Sequence, residues 1–165
     1  RVTEDIASRF GVTCHRAAVG EANVVEKMRA VGAIMGGEGN GGVIDPRVGW
    51  VRDPFIGIGL VLQKMAQSGK SLSELVATLP SYTIVKDKYS IGRESLPSLN
   101  TALENRWPEA NANRLDGLRL DWPDRWVHIR PSNTEPIVRV IAEAPRDEDA
   151  ENLCAEVGDL LKNLH

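Results

Sequence analysis

Two short segments concentrate the residue types that recognise polar ligands. Gly36-Gly37-Glu38-Gly39-Asn40-Gly41-Gly42 places five glycines in seven residues between apolar stretches, so it must be a loop. Glycine lets the backbone take positive φ and lets a ligand come close, while Glu38 and Asn40 bring the hydrogen-bonding groups. A carboxylate accepts from two neighbouring hydroxyls and an amide both donates and accepts, so the pair suits a sugar ring. Phosphate cradling is disfavoured, because Glu38 would repel the anion and no Gly-Lys-Ser/Thr follows. Taken alone, the segment is equally an elaborate turn.

The second segment, Arg130-Pro131-Ser132-Asn133-Thr134-Glu135-Pro136, lies between two strand-like runs. It holds what a phosphate dianion needs: a guanidinium able to bind two oxygens, two hydroxyls, an amide and backbone N–H groups in a turn stiffened by prolines. Each charge-assisted bond contributes about 1.5–3 kcal/mol, so four or five together exceed the lost hydration. Glu135 is expected to point away. On chemistry alone, a surface hairpin with Arg130 in a salt bridge fits equally well.

The elements around these loops follow from periodicity. Val2, Ile6 and Phe10 recur as on a helix already under way, so the chain reads as beginning in mid-domain. Val12–Val19 reads as a strand, Ala22–Val31 as a helix with Val24, Val25 and Met28 on one face, and Ala33-Ile34-Met35 as a short buried strand. Asp53-Pro54 supplies an N-cap and a first-turn proline for a helix to about Gln67, whose Gly57 and Gly59 imply close packing. Ser71 and Glu74 form a capping box for Leu72–Leu79, which Pro80 stops. Beyond it come a strand over Tyr82–Ile91, a helix face of Leu96, Leu99 and Leu103, strands over Arg114–Asp121, Trp126–Arg130 and Val138–Ala144, and a last helix burying Leu153, Val157, Leu160, Leu161 and Leu164. The expected fold is a partial layered α/β domain over 1–80. An α+β domain over 81–165 follows, with a four-stranded, mainly antiparallel sheet and two helices.

Composition narrows the function. Twenty basic against twenty-three acidic residues, with no basic block, argue against a nucleic-acid partner. No apolar run approaches the ~20 residues of a membrane span, and the first residues lack signal-peptide features, so the chain reads as soluble and cytoplasmic. Cys14 and Cys154 fit two buried thiols in a reducing compartment, and His15, His128 and His165 are scattered, so no metal site is expected. Trp50, Trp107, Trp122 and Trp126 are expected to pack. Lys86, Lys88 and Arg93 read as edge protection more than as cleft charge.

The order and spacing of the two loops resemble the α-D-phosphohexomutases. Gly37-Glu38-Gly39-Asn40-Gly41-Gly42 is similar to their sugar-recognition loop, and Arg130-Pro131-Ser132-Asn133-Thr134-Glu135-Pro136 to their carboxyl-terminal phosphate loop. Val19-Gly20-Glu21-Ala22-Asn23-Val24, Arg52-Asp53, Asp116-Gly117-Leu118-Arg119 and Trp126-Val127 fall where that family has comparable segments. The resemblance implies most of a third domain and all of a fourth, with the first two, amino-terminal domains as missing partners. It implies a mutase that moves a phosphoryl group between the 1- and 6-positions of a hexose through a 1,6-bisphosphate that turns around, in carbohydrate metabolism. Magnesium and the bisphosphate are then cofactors of the full-length enzyme. The catalytic serine loop and the aspartate-rich metal loop have no counterpart here, so this chain is expected to be inactive alone, with no catalytic or metal residue and no ligand beyond phosphate or sulfate. Arg130, Ser132, Asn133 and Thr134 would grip the non-reacting phosphate, and Glu38 and Asn40 the sugar, across a shared groove.

Gly20 and Glu21 are lesser sugar-site candidates, since some members place a substrate-contacting histidine there. Asn40-Gly41-Gly42, in place of Ser-Gly-His, resembles archaeal members of broad specificity and leaves glucose, mannose and glucosamine open. The rival readings are a non-catalytic sugar-phosphate binding module and a purely structural interaction domain.

Overall fold

Helix signals in the first half act where the sequence places them. The computed structural model describes residues 1–39, 41–90, 95–132 and 135–163, and the chain divides into two compact units, Val2–Pro80 and Ser81–His165, the latter joined by Arg1. In Val2–Pro80, α1 (Val2–Arg9) ends at Gly11, with φ 64°. Helix α2 (Glu21–Val31) follows Gly20 and closes on the left-handed Gly32. Strands β1 (Gly36–Gly37) and β2 (Val43–Ile44) pair antiparallel, Gly36 opposite Ile44 and Gly37 opposite Val43. Asp53 caps α3 (Pro54–Ser68), accepting from the Phe55 N–H at 2.8 Å and the Ile56 N–H at 3.2 Å. The Ser71–Glu74 capping box opens α4 (Leu72–Val76), which ends sooner than expected although turn bonds carry the chain on to Leu79.

Two expected strands of this unit are not strands. Residues 12–18 have no ladder partner among the described residues, and Val12 and Val19 are exposed. Ala33-Ile34-Met35 is not a buried strand: Ile34 is 86% exposed and pairing begins only at Gly36. Apolar, β-branched residues favour extended backbone, but a strand also needs a neighbour to receive its N–H and C=O groups. Met28 and Ile44 are the buried hydrophobic residues described in this unit. Met28 fits beneath Gly36, where a Cβ would meet its Sδ at 2.2 Å. Gly57 packs on Val43, but Gly59 faces open space, contrary to expectation. Helix α3 buries nothing, and its Phe55, Ile58 and Leu62 are exposed.

In the second unit, β3 (Thr83–Ser90), α5 (Leu96–Arg106), β4 (Asn111–Asn113), β5 (Leu118–Asp121), β6 (Trp126–Pro131), β7 (Ile137–Ala144) and α6 (Asp147–Lys162) form a helix-backed sheet of order β3-β7-β6-β5-β4. All four pairings are antiparallel, so the sheet has five strands where four were expected. The additional β4 is Asn-Ala-Asn, exposed throughout and lacking the alternation that marks a strand. Residues 114–117, expected as strand, instead form the turn into β5.

One sheet face carries Leu118, Leu120, Val127, Ile129, Val138, Val140 and Ala142 into a core with Leu99 and Leu103 of α5 and Leu153, Cys154, Val157 and Leu161 of α6. Leu160 packs partly buried against it, and Leu164 lies outside the described residues. Trp107 and Trp122 meet edge to face, centroids 5.5 Å apart, and Trp126 is also buried, whereas Trp50 is partly exposed beneath the Arg29 guanidinium. Burial pushes the Cys154 thiol up to about 11, while Cys14 is only partly buried.

Candidate functional site

The glycine loop is the tip of the β1–β2 hairpin. The Glu38 N–H donates to the Gly42 carbonyl at 3.2 Å, and the Gly41 N–H to the Glu38 carbonyl at 3.0 Å, with Gly41 at φ 90°. The closure leaves no room for a side chain at its two ends: a Cβ on Gly37 would sit 2.5 Å from the Gly42 carbonyl oxygen, and one on Gly42 would sit 2.3 Å from Cδ of Arg52. Arg52 therefore lies against the loop, and the neighbouring Asp53 N–H donates to the Val43 carbonyl at 2.8 Å, fixing the start of α3 to the hairpin.

That arginine joins two predicted site residues. Its Nε and backbone N–H both donate to Oε2 of Glu21, at 2.7 and 3.1 Å, and its Nη1 lies 3.0 Å from Oε2 of Glu38. Hydrogen bonds from Arg52 hold the Glu21 carboxyl below its ordinary range. Glu21, Gly41, Gly42, Val51, Arg52 and Pro54 line a shallow depression beside the loop. Gly20, at φ 125°, serves the entry to α2 and is not among these lining residues. Asn40 lies outside the described residues. The role of Arg52 was not foreseen, because a pairing across 31 residues leaves no local pattern.

The second turn leaves β6 at Arg130-Pro131 and returns at Ile137. The Ser132 N–H donates to the Ile137 carbonyl at 2.9 Å, and the Glu135 N–H to Oγ of Ser132 at 3.3 Å. Ser132 is 5% exposed and Glu135 is exposed, whereas Asn133 and Thr134 lie outside the described residues. Arg130 donates through Nε to Oδ1 of Asp116 at 3.1 Å. That single bond leaves both Nη groups, the outer prongs of the fork, without a protein partner among the described residues.

Gly117 makes this arrangement possible. It holds φ 75°, and a Cβ there would lie 2.3 Å from the Ile129 carbonyl oxygen, so only glycine lets the 116–117 turn reach β6. The same turn accepts from His128, whose Nε2 bonds the Asp116 carbonyl. Since a carbonyl only accepts, Nε2 carries the hydrogen, and burial lowers the His128 pKa.

Strand register adds two further cations. Arg130 stands opposite Arg139, and Arg139 opposite Lys88, giving a row of three positive residues across β6, β7 and β3. Like charges directly opposite are unfavourable, a cost that an anion on that face would relieve. Arg139 was not singled out from sequence, and Arg93 lies outside the described residues. No group of three His, Cys, Asp or Glu side chains converges as a metal site among the described residues, and no described helix is long and apolar enough to cross a membrane.

Comparison with known proteins gives the family. Residues 1–82 match the family model "Phosphoglucomutase/phosphomannomutase, alpha/beta/alpha domain III", and residues 102–160 match "Phosphoglucomutase/phosphomannomutase, C-terminal domain". The chain is 32% identical over 163 residues to a "Probable phosphoglucosamine mutase" of Methanopyrus kandleri, a match covering 98% of this chain and 36% of that protein. It is 34% identical over 149 residues to a "Phosphoglucomutase/phosphomannomutase" of Thermococcus kodakarensis, covering 89% and 32%. It is 36% identical over 155 residues to the "Phosphoglucosamine mutase" of Mycobacterium tuberculosis, covering 90% and 32%. The chain thus spans about a third of the length of these curated relatives. The crystal structure of a phosphoglucomutase/phosphomannomutase family protein from Burkholderia thailandensis shares the fold, with a TM-score of 0.79 over 99% of this chain and 35% of that one, at 23% identity.

Proposed function

The chain belongs to the phosphoglucomutase/phosphomannomutase family, spanning its α/β/α domain III and its C-terminal domain, and from that premise we propose that it is the substrate-gripping part of a hexose-phosphate mutase. In the complete protein the reaction moves a phosphoryl group between the 1- and 6-positions of a hexose through a bisphosphate. Arg130, Ser132, Asn133 and Thr134 hold the phosphate that is not reacting, and Arg139 opposite Arg130 adds charge to the same face. Glu38 and Asn40 take the sugar hydroxyls, with Glu21 beside them.

The chemistry of these residues is positioning. A phosphate looks alike from either end of the sugar, so one arginine-and-hydroxyl turn serves both orientations of the bisphosphate. A carboxylate accepts from whichever neighbouring hydroxyls are presented, so Glu38 tolerates the same reversal. Asp116 keeps the Arg130 fork in place, which lowers the ordering cost when the dianion binds. The described residues do not assemble a magnesium site, and the proposed chemistry of this chain uses none. The domain that would supply the reactive phosphoryl group lies outside this chain, so the chain alone binds without turnover.

The observation that carries this reading is the Arg130 fork, anchored through Nε by Asp116 at the mouth of the Ser132 turn, with Arg139 aligned beside it. A coupled assay on the complete protein tests it, following glucose 1-phosphate to glucose 6-phosphate with catalytic glucose 1,6-bisphosphate. Conversion is expected, with a raised KM in Arg130→Ala. A complete protein that binds sugar phosphates without converting them would leave the binding-module reading instead.

A further inference from the structure

Three consecutive residues of β6 meet the turn at 116–117. The His128 imidazole donates through Nε2 to the Asp116 carbonyl. The Ile129 carbonyl oxygen comes so close to Gly117 that a Cβ there would lie 2.3 Å from it. Arg130 donates through Nε to the Asp116 carboxylate at 3.1 Å. The β5–β6 ladder ends at Leu118 opposite Ile129, so the turn lies beyond the last ladder pair and these contacts tie it to β6. Asp116 is held at both ends, by His128 at its carbonyl and by Arg130 at its carboxylate. Val127 and Ile129 enter the core, so His128 and Arg130, which alternate with them, project from the opposite face of the sheet. There His128 is half-buried between Arg119 of β5 and Ile141 of β7, and Arg119 is itself engaged twice by Asp121. Burial lowers the pKa of the imidazole, so near neutral pH it brings a donor to the turn and no charge. A leucine would fill the same space without the donor.

We propose that His128 is a positioning residue of the phosphate turn: by fixing the Asp116 carbonyl it aims the Asp116 carboxylate at Nε of Arg130, and so sets the two Nη groups in place before an anion arrives. The inference rests on the phosphate-binding reading of Arg130 and deepens it by naming a residue that touches no phosphate yet sets the affinity for one. The guanidinium is planar and rigid, so an arginine held through Nε has its whole fork oriented, with the outer N–H groups left to a ligand. Without that anchor the side chain must give up its rotamer freedom when the phosphate binds, and affinity falls by that cost. Gly117 serves the same end, because only a residue without Cβ lets Asp116 come this close to β6.

Calorimetric titration of the full chain with glucose 1,6-bisphosphate, near neutral pH, tests the proposal. His128→Leu is expected to bind about three- to tenfold more weakly, the cost of ordering one long side chain on binding. His128→Gln, whose amide places a donor near the position of Nε2, should recover most of that loss. Where His128→Leu does not fold, His128→Asn takes its place, since its shorter amide stops near the Nδ1 position. Asp116→Ala, which removes the carboxylate and keeps the carbonyl, should weaken binding by a similar factor. Adding His128→Leu to Asp116→Ala should then weaken it no further, because both act through the same Nε contact. General loosening of the sheet would instead lower affinity equally in both backgrounds and would not respond to glutamine. Wild-type affinity in His128→Leu, no recovery in His128→Gln, or a full further loss in the double variant would overturn the proposal. If Arg130→Ala weakens binding and His128→Leu does not, the phosphate reading stands and this inference falls. If the chain does not bind the bisphosphate, or Arg130→Ala binds it as wild type does, both fall.

Discussion

Replacing Gly117 by alanine strikes the point where the 116–117 turn touches β6. The new Cβ would lie 2.3 Å from the Ile129 carbonyl oxygen and 3.1 Å from Cα of Arg130, and both are backbone atoms that cannot swing aside. Alanine at φ 75° adds a left-handed penalty of about 1–2 kcal/mol. Overpacking against a fixed strand adds about 1–3 kcal/mol. The restricted unfolded chain returns about 0.4–1 kcal/mol. The expected net loss is about 2–3 kcal/mol, which lowers the midpoint of a domain this size by roughly 10–20 °C. Tryptophan fluorescence follows this unit, since Trp107, Trp122 and Trp126 all belong to it. A thermal scan of Gly117→Ala with a midpoint within about 4 °C of wild type would refute the close-approach argument, since that is the shift for about 1 kcal/mol.

Two further outcomes follow from single contacts. Asp53→Ala removes the acceptor for the Phe55 and Ile56 N–H groups and should cost about 1 kcal/mol, read as a loss of helical circular dichroism on mild denaturation. His128 has its pKa lowered by burial, so below the ordinary imidazole value of about 6.5 the unfolded chain takes up a proton that the folded chain resists. Its contribution is therefore constant above that value and stability falls as pH drops through it toward the lower folded pKa. His128→Gln should flatten that part of a denaturation-versus-pH curve, and an unchanged slope would count against the assignment.

How much was readable from sequence depended on whether a feature is local. The caps at Asp53 and Ser71 are fixed by residues two or three positions apart, and both form as expected. Leu99 and Leu103 of α5, and Leu153, Val157 and Leu161 of α6, repeat with helical spacing, and all are buried. Strands were harder, because their existence depends on a partner. Val12–Val19 has strand composition but no ladder among the described residues, while Asn111–Asn113 lacks the composition and pairs with β5. The same limit hid the ties of the candidate site. Arg52 reaches Glu21 across 31 residues and Asp116 reaches Arg130 across 14, so only the folded chain displays them. Motif order pointed to the loops, but the arginine and aspartate that hold them entered the sequence reading only as flanking resemblance.

The phosphate role of the Arg130 turn is tested most directly by titrating glucose 1,6-bisphosphate calorimetrically into the chain and into Arg130→Ala. Loss of the guanidinium should weaken binding by at least about 1.5 kcal/mol, the low end for a hydrogen bond to a charged group. Equal affinity of the two proteins would contradict the account.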